Sequence, residues 1–460
     1  MLRFRTLIVG LAVVQAAACG ARSTLYPGEI DGEGGGGTGG TGGTGAGGTG
    51  AGGTTSTTTT DTTTTTTTTT TTVVEGPCGA LKFETPYSHL DGGLQVNQRG
   101  PKLGYASDDG MTVTLASAWQ ATEGPGNLPI ELRHTSFEPW GAFPAGSGFG
   151  PTFLADLDAG VSFSITQGKP GRFALLFRDF KSPPPGGLRF SADFKPKSGT
   201  VPASILADSA LDDALFARRG TTGKWLLGGR DQVGGLSETR FLSASESQVE
   251  ASIPVTCTTA PAAADAVAVN GGFVATVAAP GGGPSSCANG NGSPIGGPLV
   301  LSIQGVSVTL PGDLAKGSPA DIAMAPRKDG AWVAWLDTGA GALSAGTWVS
   351  AVSEKGIPLG VPFNANLACE PQSLAAASFE GFLMIACIQS EPEGASPVVQ
   401  VFEPDGTPAA GLKVPATGAA KGRAALIGSP VSRSAVLAWS ETAGIGDQIR
   451  ITRLDCVDGP

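Results

Sequence analysis

Histidine, tyrosine and charge are scarce in this chain. Two histidines and three tyrosines occur in 460 residues, and charged side chains make up 15%, against about 25% in an ordinary soluble domain. With only His89 and His134 available, a nucleophile–histidine hydrolase site has to run through one of these two. Both fall in segments that read as surface or turn. Two histidines and disulfide-bound cysteines cannot supply the usual three or four ligands of a zinc site. The net charge is −10, with basic residues scattered rather than striped. That excludes the counterion-displacing surface of a nucleic-acid binder and the polybasic face of a membrane-surface protein. After the first twenty residues no apolar run approaches the length of a spanning helix.

What is present begins with MLRFRTLIVGLAVVQAAACG. Arg3 and Arg5 form a positive start, Leu7 to Val14 a short apolar stretch, and Ala16, Ala17 and Ala18 a small-residue approach to Cys19. This pattern is an export signal, too short to span as a mature helix. Small residues directly before a cysteine resemble the lipobox of bacterial lipoproteins. The resemblance implies cleavage after residue 18, a lipid on Cys19, and a membrane partner through that lipid. In that family Asp after the cysteine tends to retain the protein at the inner membrane. Gly20 stands here, so the resemblance favours the outer membrane or cell surface. Cleavage at the A-x-A pattern is the alternative, giving a soluble secreted or periplasmic protein.

Residues 19–72 are dominated by glycine and threonine, ending in TTSTTTTDTTTTTTTTTTT (54–72). Such a segment has no apolar surface to bury and much entropy to lose, so it reads as an extended, solvated tether. As a flexible chain it averages roughly 40 Å end to end.

The body, residues 73–460, reads as short apolar runs separated by Gly, Pro, Asp and Ser, which is an all-β signature. The runs recur. TVTLASAW (112–119), FALLFRD (173–179), WLLGGRD (225–231), FVATVAAP (273–280), GAWVAWLDTG (330–339), GFLMIACIQS (381–390) and SAVLAWSETA (434–443) are spaced roughly 50 to 60 residues apart. WVSAVSEKGIPLGVPF (348–363) matches VVQVFEPDGTPAAGLKV (398–414), with Gly356 on Gly406 and Pro358 on Pro408. Each unit therefore reads as an inner strand, a core strand and an outer hairpin. Four short strands per unit make a β-propeller blade, and seven units make the ring. Tandem β-sandwiches, which take about 100 residues each, are the alternative architecture.

The last unit, QIRITRLDCVDGP, stops where its outermost strand should begin, while CGALKFETP (78–86) belongs to no complete unit. The expectation is that 78–86 closes the ring as that missing strand, since an open ring leaves two unpaired edges. Seven cysteines occur. With Cys19 taken by lipid, six remain for three disulfides in an exported protein. The expected pairs are Cys78 with Cys456 at the ring closure, and Cys257 with Cys287 and Cys369 with Cys387 as local bridges within blades, out of fifteen pairings that the count permits.

No catalytic constellation emerges. ALSAG (342–346) has the spacing of a nucleophile elbow but lacks the strand–turn–helix setting, so Ser344 reads as a hairpin residue. SDDGMTV (107–113) resembles the Asp-box of sialidase-type propellers, S-x-D-x-G-x-T-W, one residue short and with Val113 for the aromatic. The resemblance implies a structural β-turn. DLDAG (156–160) and LDDA (211–214) lack the ligand order of a calcium loop and read as solvated turns. Trp332, Trp335 and Trp439 fall on core strands and read as packing between blades. Trp119, Trp140 and Trp348 fall near strand ends or loops. The expected protein is a monomeric, lipid-anchored surface propeller that binds a glycan or an envelope protein, with no cofactor and no metal. An envelope polysaccharide hydrolase or lyase is the alternative, because glycoside chemistry needs only two carboxylates and these can come from different blades.

Overall fold

Each of the seven recurring apolar runs is the second strand of an antiparallel sheet. These strands are Val113–Ala121, Phe173–Arg178, Trp225–Arg230, Gly272–Ala279, Gly330–Asp337, Phe382–Gln389 and Ser434–Ala443. They lie in seven sheets of four strands or more, numbered here as blades 1 to 7 in chain order. The innermost strands are Val96–Tyr105, Phe163–Gln167, Asp213–Arg219, Ala263–Val269, Pro319–Arg327, Ala375–Phe379 and Ala419–Gly428. The architecture is a seven-bladed β-propeller, and no helix occurs among the described residues. The computed structural model describes residues 78–88, 96–121, 130–141, 152–157, 162–178, 186–196, 198–200, 202–211, 213–231, 237–257, 263–279, 287–288, 294–295, 297–305, 307–314, 317–443 and 446–458. The chain divides into Met1–Thr72 and Val73–Pro460. The export signal, Cys19, the tether and His89 lie outside the described residues.

Strand alternation explains the packing. The second strand of a blade is covered on both faces by neighbouring blades, so it reads as a continuous apolar run. All eight residues of Gly330–Asp337 are buried. Trp332 and Trp335, an odd number of residues apart, point to opposite faces. Trp332 packs between blades 5 and 6, and Trp335 between blades 4 and 5. Trp225 and Trp439 fill the same role between blades 2 and 3 and between blades 6 and 7. The ring of apolar interfaces closes, because Val113, Leu115 and Phe137 of blade 1 pack on Val436, Ala438, Ile449 and Ile451 of blade 7.

Closure follows the expected exchange. Cys78–Phe83 pairs antiparallel with the last strand, Gly446–Asp458, and is the outermost strand of blade 7. Cys78 is bonded to Cys456, with Cα atoms 5.5 Å apart. Leu81 and Cys78 are buried in the core between blades 6 and 7. Cys369 and Cys387 form the second observed disulfide. The backbone sets Cys257 directly opposite Cys287. That pairing joins the outer strand of blade 3 to an excursion that leaves blade 4 between its second and third strands, rather than two positions within one blade. The side chains of Cys257 and Cys287 lie outside the described residues.

Candidate functional site

The innermost strand of a propeller blade has a sheet neighbour on one edge only. Its other edge offers backbone N–H and C=O groups to the channel. Here, side chains of one blade meet several of those groups on the next. Ser162 and Ser164 of blade 2 accept from Ala214 N and Ala217 N of blade 3. Asp265 of blade 4 accepts from Met324 N of blade 5 at 2.9 Å, and Asp321 of blade 5 from Leu374 N, ahead of the inner strand of blade 6, at 2.9 Å. These bonds tie consecutive blades around the axis.

Charged side chains enter the channel where the inner strands are irregular. In blade 1 the register shifts between Arg99 and Lys102, with Gly100 at φ 59° followed by Pro101. In blade 7 it shifts between Lys421 and Ala425, with Gly422 at φ 69° just before Arg423. Register also shifts between Ala214 and Phe216, upstream of Arg218, and between Pro319 and Asp321. A bulge inserts an extra residue and re-aims the side chains that follow it. Three cations from blades 1, 3 and 7 thereby line one cavity of about 100 Å³ together with Asp265.

Both carboxylates in this belt are occupied. Asp265 pairs with Arg218 at 2.5 Å and accepts from Ala266 N and Met324 N. Asp321 is fully buried, pairs with Arg423, and accepts from Ile322 N and Leu374 N. Burial pushes the Asp321 carboxyl up, against the opposing pull of Arg423 and of both N–H groups. Lys102 has no ion pair among the described residues. The residue is half-buried, and its ammonium is pushed down to about 8 by desolvation first and then by Arg423 and Arg218, with Asp265 and Asp213 acting in the other direction.

The belt opens into a second cavity of about 290 Å³ toward the C-terminal ends of the inner strands. Leu103, Ile165, Arg218, Ala376 and Leu426 line both spaces, and Tyr105, Gln167, Arg219 and Ser378 are among the residues that line only the outer one. The Asp-box-like turn stands beside it. Asp108 accepts from Gln167 Nε2 at 2.8 Å and from Arg219 Nη1 at 2.9 Å, joining blades 1, 2 and 3. Within the turn, Gly110 N donates to Ser107 O and Met111 N to Asp109 Oδ1. A hydrogen bond from the Ser107 hydroxyl first, and then that from Met111 N, hold the Asp109 carboxyl below the usual range. Trp140 donates to Gly110 O at 2.8 Å. The segment is thus the structural turn that the resemblance implied.

The remaining sequence candidates are dispersed. His134 is not a surface or turn residue. It sits in the third strand of blade 1, 1% exposed, against Phe173 and bonded through Nε2 to Ser198 O. Desolvation pushes its imidazole down. Ser344 lies exposed in the hairpin between Gly330–Asp337 and Gly346–Ser353, where its carbonyl accepts from Trp348 Nε1. Asp213 is not a solvated turn residue either. It opens the inner strand of blade 3 and is held by Arg230 at 2.5 Å and by Ser162. Among the described residues no cluster of three metal-ligating side chains occurs. Trp119 is buried, and Trp140 and Trp348 are half-buried. The sequence reading named none of Lys102, Arg218, Asp265, Asp321 or Arg423. The signal available was glycine inside a strand pattern, RGPK and AKGR, which marks a bulge.

No protein-family model matches the chain, and no curated protein matches it. Among solved structures it is similar to the subtype N11 neuraminidase-like protein of A/flat-faced bat/Peru/033/2010, at 11% identity and TM-score 0.44, covering 84% of this chain and 98% of that one. It is similar to the subtype N10 neuraminidase-like protein of A/little yellow-shouldered bat/Guatemala/060/2010, at 10% identity and TM-score 0.40, covering 80% and 97%. It is also similar to the Pyrococcus horikoshii acylaminoacyl peptidase, at 8% identity and TM-score 0.42, covering 77% of this chain and 51% of that one. At such identities and TM-scores these likenesses assign neither a family nor an activity.

Proposed function

We propose that this protein is a lipid-anchored, surface-exposed binding module, with Cys19 as the anchor and the propeller channel as the ligand seat. One observation carries the non-catalytic reading. Asp265 and Asp321 each satisfy an arginine and two backbone N–H groups. A general acid or base needs a lone pair or proton directed at substrate, and these carboxylates spend theirs on the scaffold. Two disulfides within the propeller support export to an oxidising compartment.

The test is capture. The purified full-length chain is immobilised and exposed to fragmented envelope polysaccharide and to envelope protein extract, and retained and released material is identified by mass spectrometry. An intact glycan or protein that is retained, and then lost on Arg218→Ala, supports the module. Shortened glycan in the released fraction would make the protein an enzyme. The anchor is tested separately: Cys19→Ala should move the protein from the membrane fraction to the soluble one, and unchanged membrane association counts against lipidation.

A further inference from the structure

The charges of the channel belt do not cancel. Lys102, Arg218 and Arg423 face two carboxylates, Asp265 and Asp321. Each carboxylate already takes three donors and has little capacity left for an ammonium. Asp213, the other carboxylate acting on Lys102, is itself held by Arg230. One positive charge, that of Lys102, therefore sits half-buried in the channel with no ion pair among the described residues. Enclosing an unpaired charge is costly, and this one is delivered by a bulge at Gly100 and Pro101 that the regular strand does not need.

We propose that Lys102, Arg218 and Arg423 form an oxyanion site, taking the phosphate, sulfate or carboxylate group of a small ligand whose remainder sits in the outer cavity. The inference rests on the binding reading above and names its ligand class. Arg218 spends Nε on Ala266 O, Nη1 on Ala217 O and Nη2 on Asp265, which leaves one N–H on each Nη for a ligand, and lysine adds a compact point charge, a combination suited to a multi-oxygen anion. The inner space of about 100 Å³ holds a single anionic group, and the outer one of about 290 Å³ is at the small end of ligand pockets. Binding also has a pH signature. The Lys102 ammonium is pushed down to about 8, by desolvation first and then by Arg423 and Arg218, with Asp265, Asp213 and Asp321 opposing the shift. The site is therefore fully charged at pH 6.5 and weakens as pH rises through 8.

Equilibrium dialysis of the full-length chain against radiolabelled phosphate, sulfate and acetate, at constant ionic strength with chloride, tests this. At least one oxyanion should bind saturably at one site per chain. Lys102→Met should weaken that binding at least tenfold, while Lys102→Arg should stay within a few-fold. Lys102→Met removes an enclosed charge, so its thermal midpoint should equal or exceed that of the unaltered chain, which separates lost binding from lost folding. Absence of saturable binding, or binding indifferent to Lys102→Met and to pH between 6.5 and 9, overturns the oxyanion site. A neutral fragment captured through the channel would overturn it as well while leaving the binding module standing. Saturable phosphate binding with shortened glycan released would do the reverse.

Discussion

At the scale of single residues, the propeller places polar side chains where they complete the backbone rather than where they meet solvent. His134 shows the cost. Its ring is enclosed against Phe173, and this desolvation disfavours the imidazolium in the folded protein relative to its ordinary value of 6.5, against the opposing pull of the Ser198 carbonyl at Nε2. The unfolded chain takes up the proton first. Stability attributable to His134 is therefore fully present above pH 6.5 and is lost as pH falls below it toward the lowered folded value. The loss grows steadily as pH falls through that range. Urea unfolding at pH 7.5 and 5.5 should show that decrement in the unaltered chain and a smaller one in His134→Gln, which keeps a donor but does not titrate. Equal decrements in both proteins would rule out His134 as the group responsible.

At the scale of elements, irregularity inside the inner strands separates the framework from the site. Gly422 is at positive φ, and nothing lies within 4 Å of where its Cβ would be. Gly422→Ala therefore introduces no clash and isolates the backbone term, about 1–2 kcal/mol for an L-residue in that region. The midpoint of urea denaturation should fall accordingly, and an unchanged midpoint would mean that the bulge relaxes without strain. The same feature explains what was legible in the sequence. The second strands are apolar on both faces, so their recurrence showed the blades, and the matched turns at Gly356 and Gly406 showed the outer hairpins. The segment 78–86, which belongs to no unit, and the truncated last unit at 448–460 disclosed the closure. The channel was not legible, because its charges come from five different blades, and its cations are aimed by register shifts that depend on how each inner strand pairs with its neighbour. His134 was misjudged for a related reason: a polar residue at an inward position of a strand looks like a turn residue until the neighbouring blade that covers it is known.

At the scale of the whole molecule, one short strand holds the ring together. Blade 7 draws its outermost strand from the other end of the described body. Cys78–Phe83 supplies backbone pairing along the last strand and buries Leu81 against blades 6 and 7. The bridge to Cys456 spans 378 positions. For native disulfides the loss on removal is about 2–5 kcal/mol, and the chain-entropy account puts long loops at the upper end. The disulfide and the strand are separable. Cys78→Ser paired with Cys456→Ser should lower the thermal midpoint by several degrees yet leave a folded propeller, since the strand still pairs. Deleting residues 78–86 removes bridge, pairing and core contacts together, and should expose the edge of Gly446–Asp458 to intermolecular pairing. The deletion should therefore unfold at much lower temperature than the double serine variant and should aggregate. Deleting residues 32–72 removes no strand of the described sheets and should leave the midpoint unchanged. Circular dichroism melts of the three variants, with light scattering, decide the matter. Equal and mild shifts in all three would mean that the ring is held by its blade interfaces alone and that the strand exchange is dispensable.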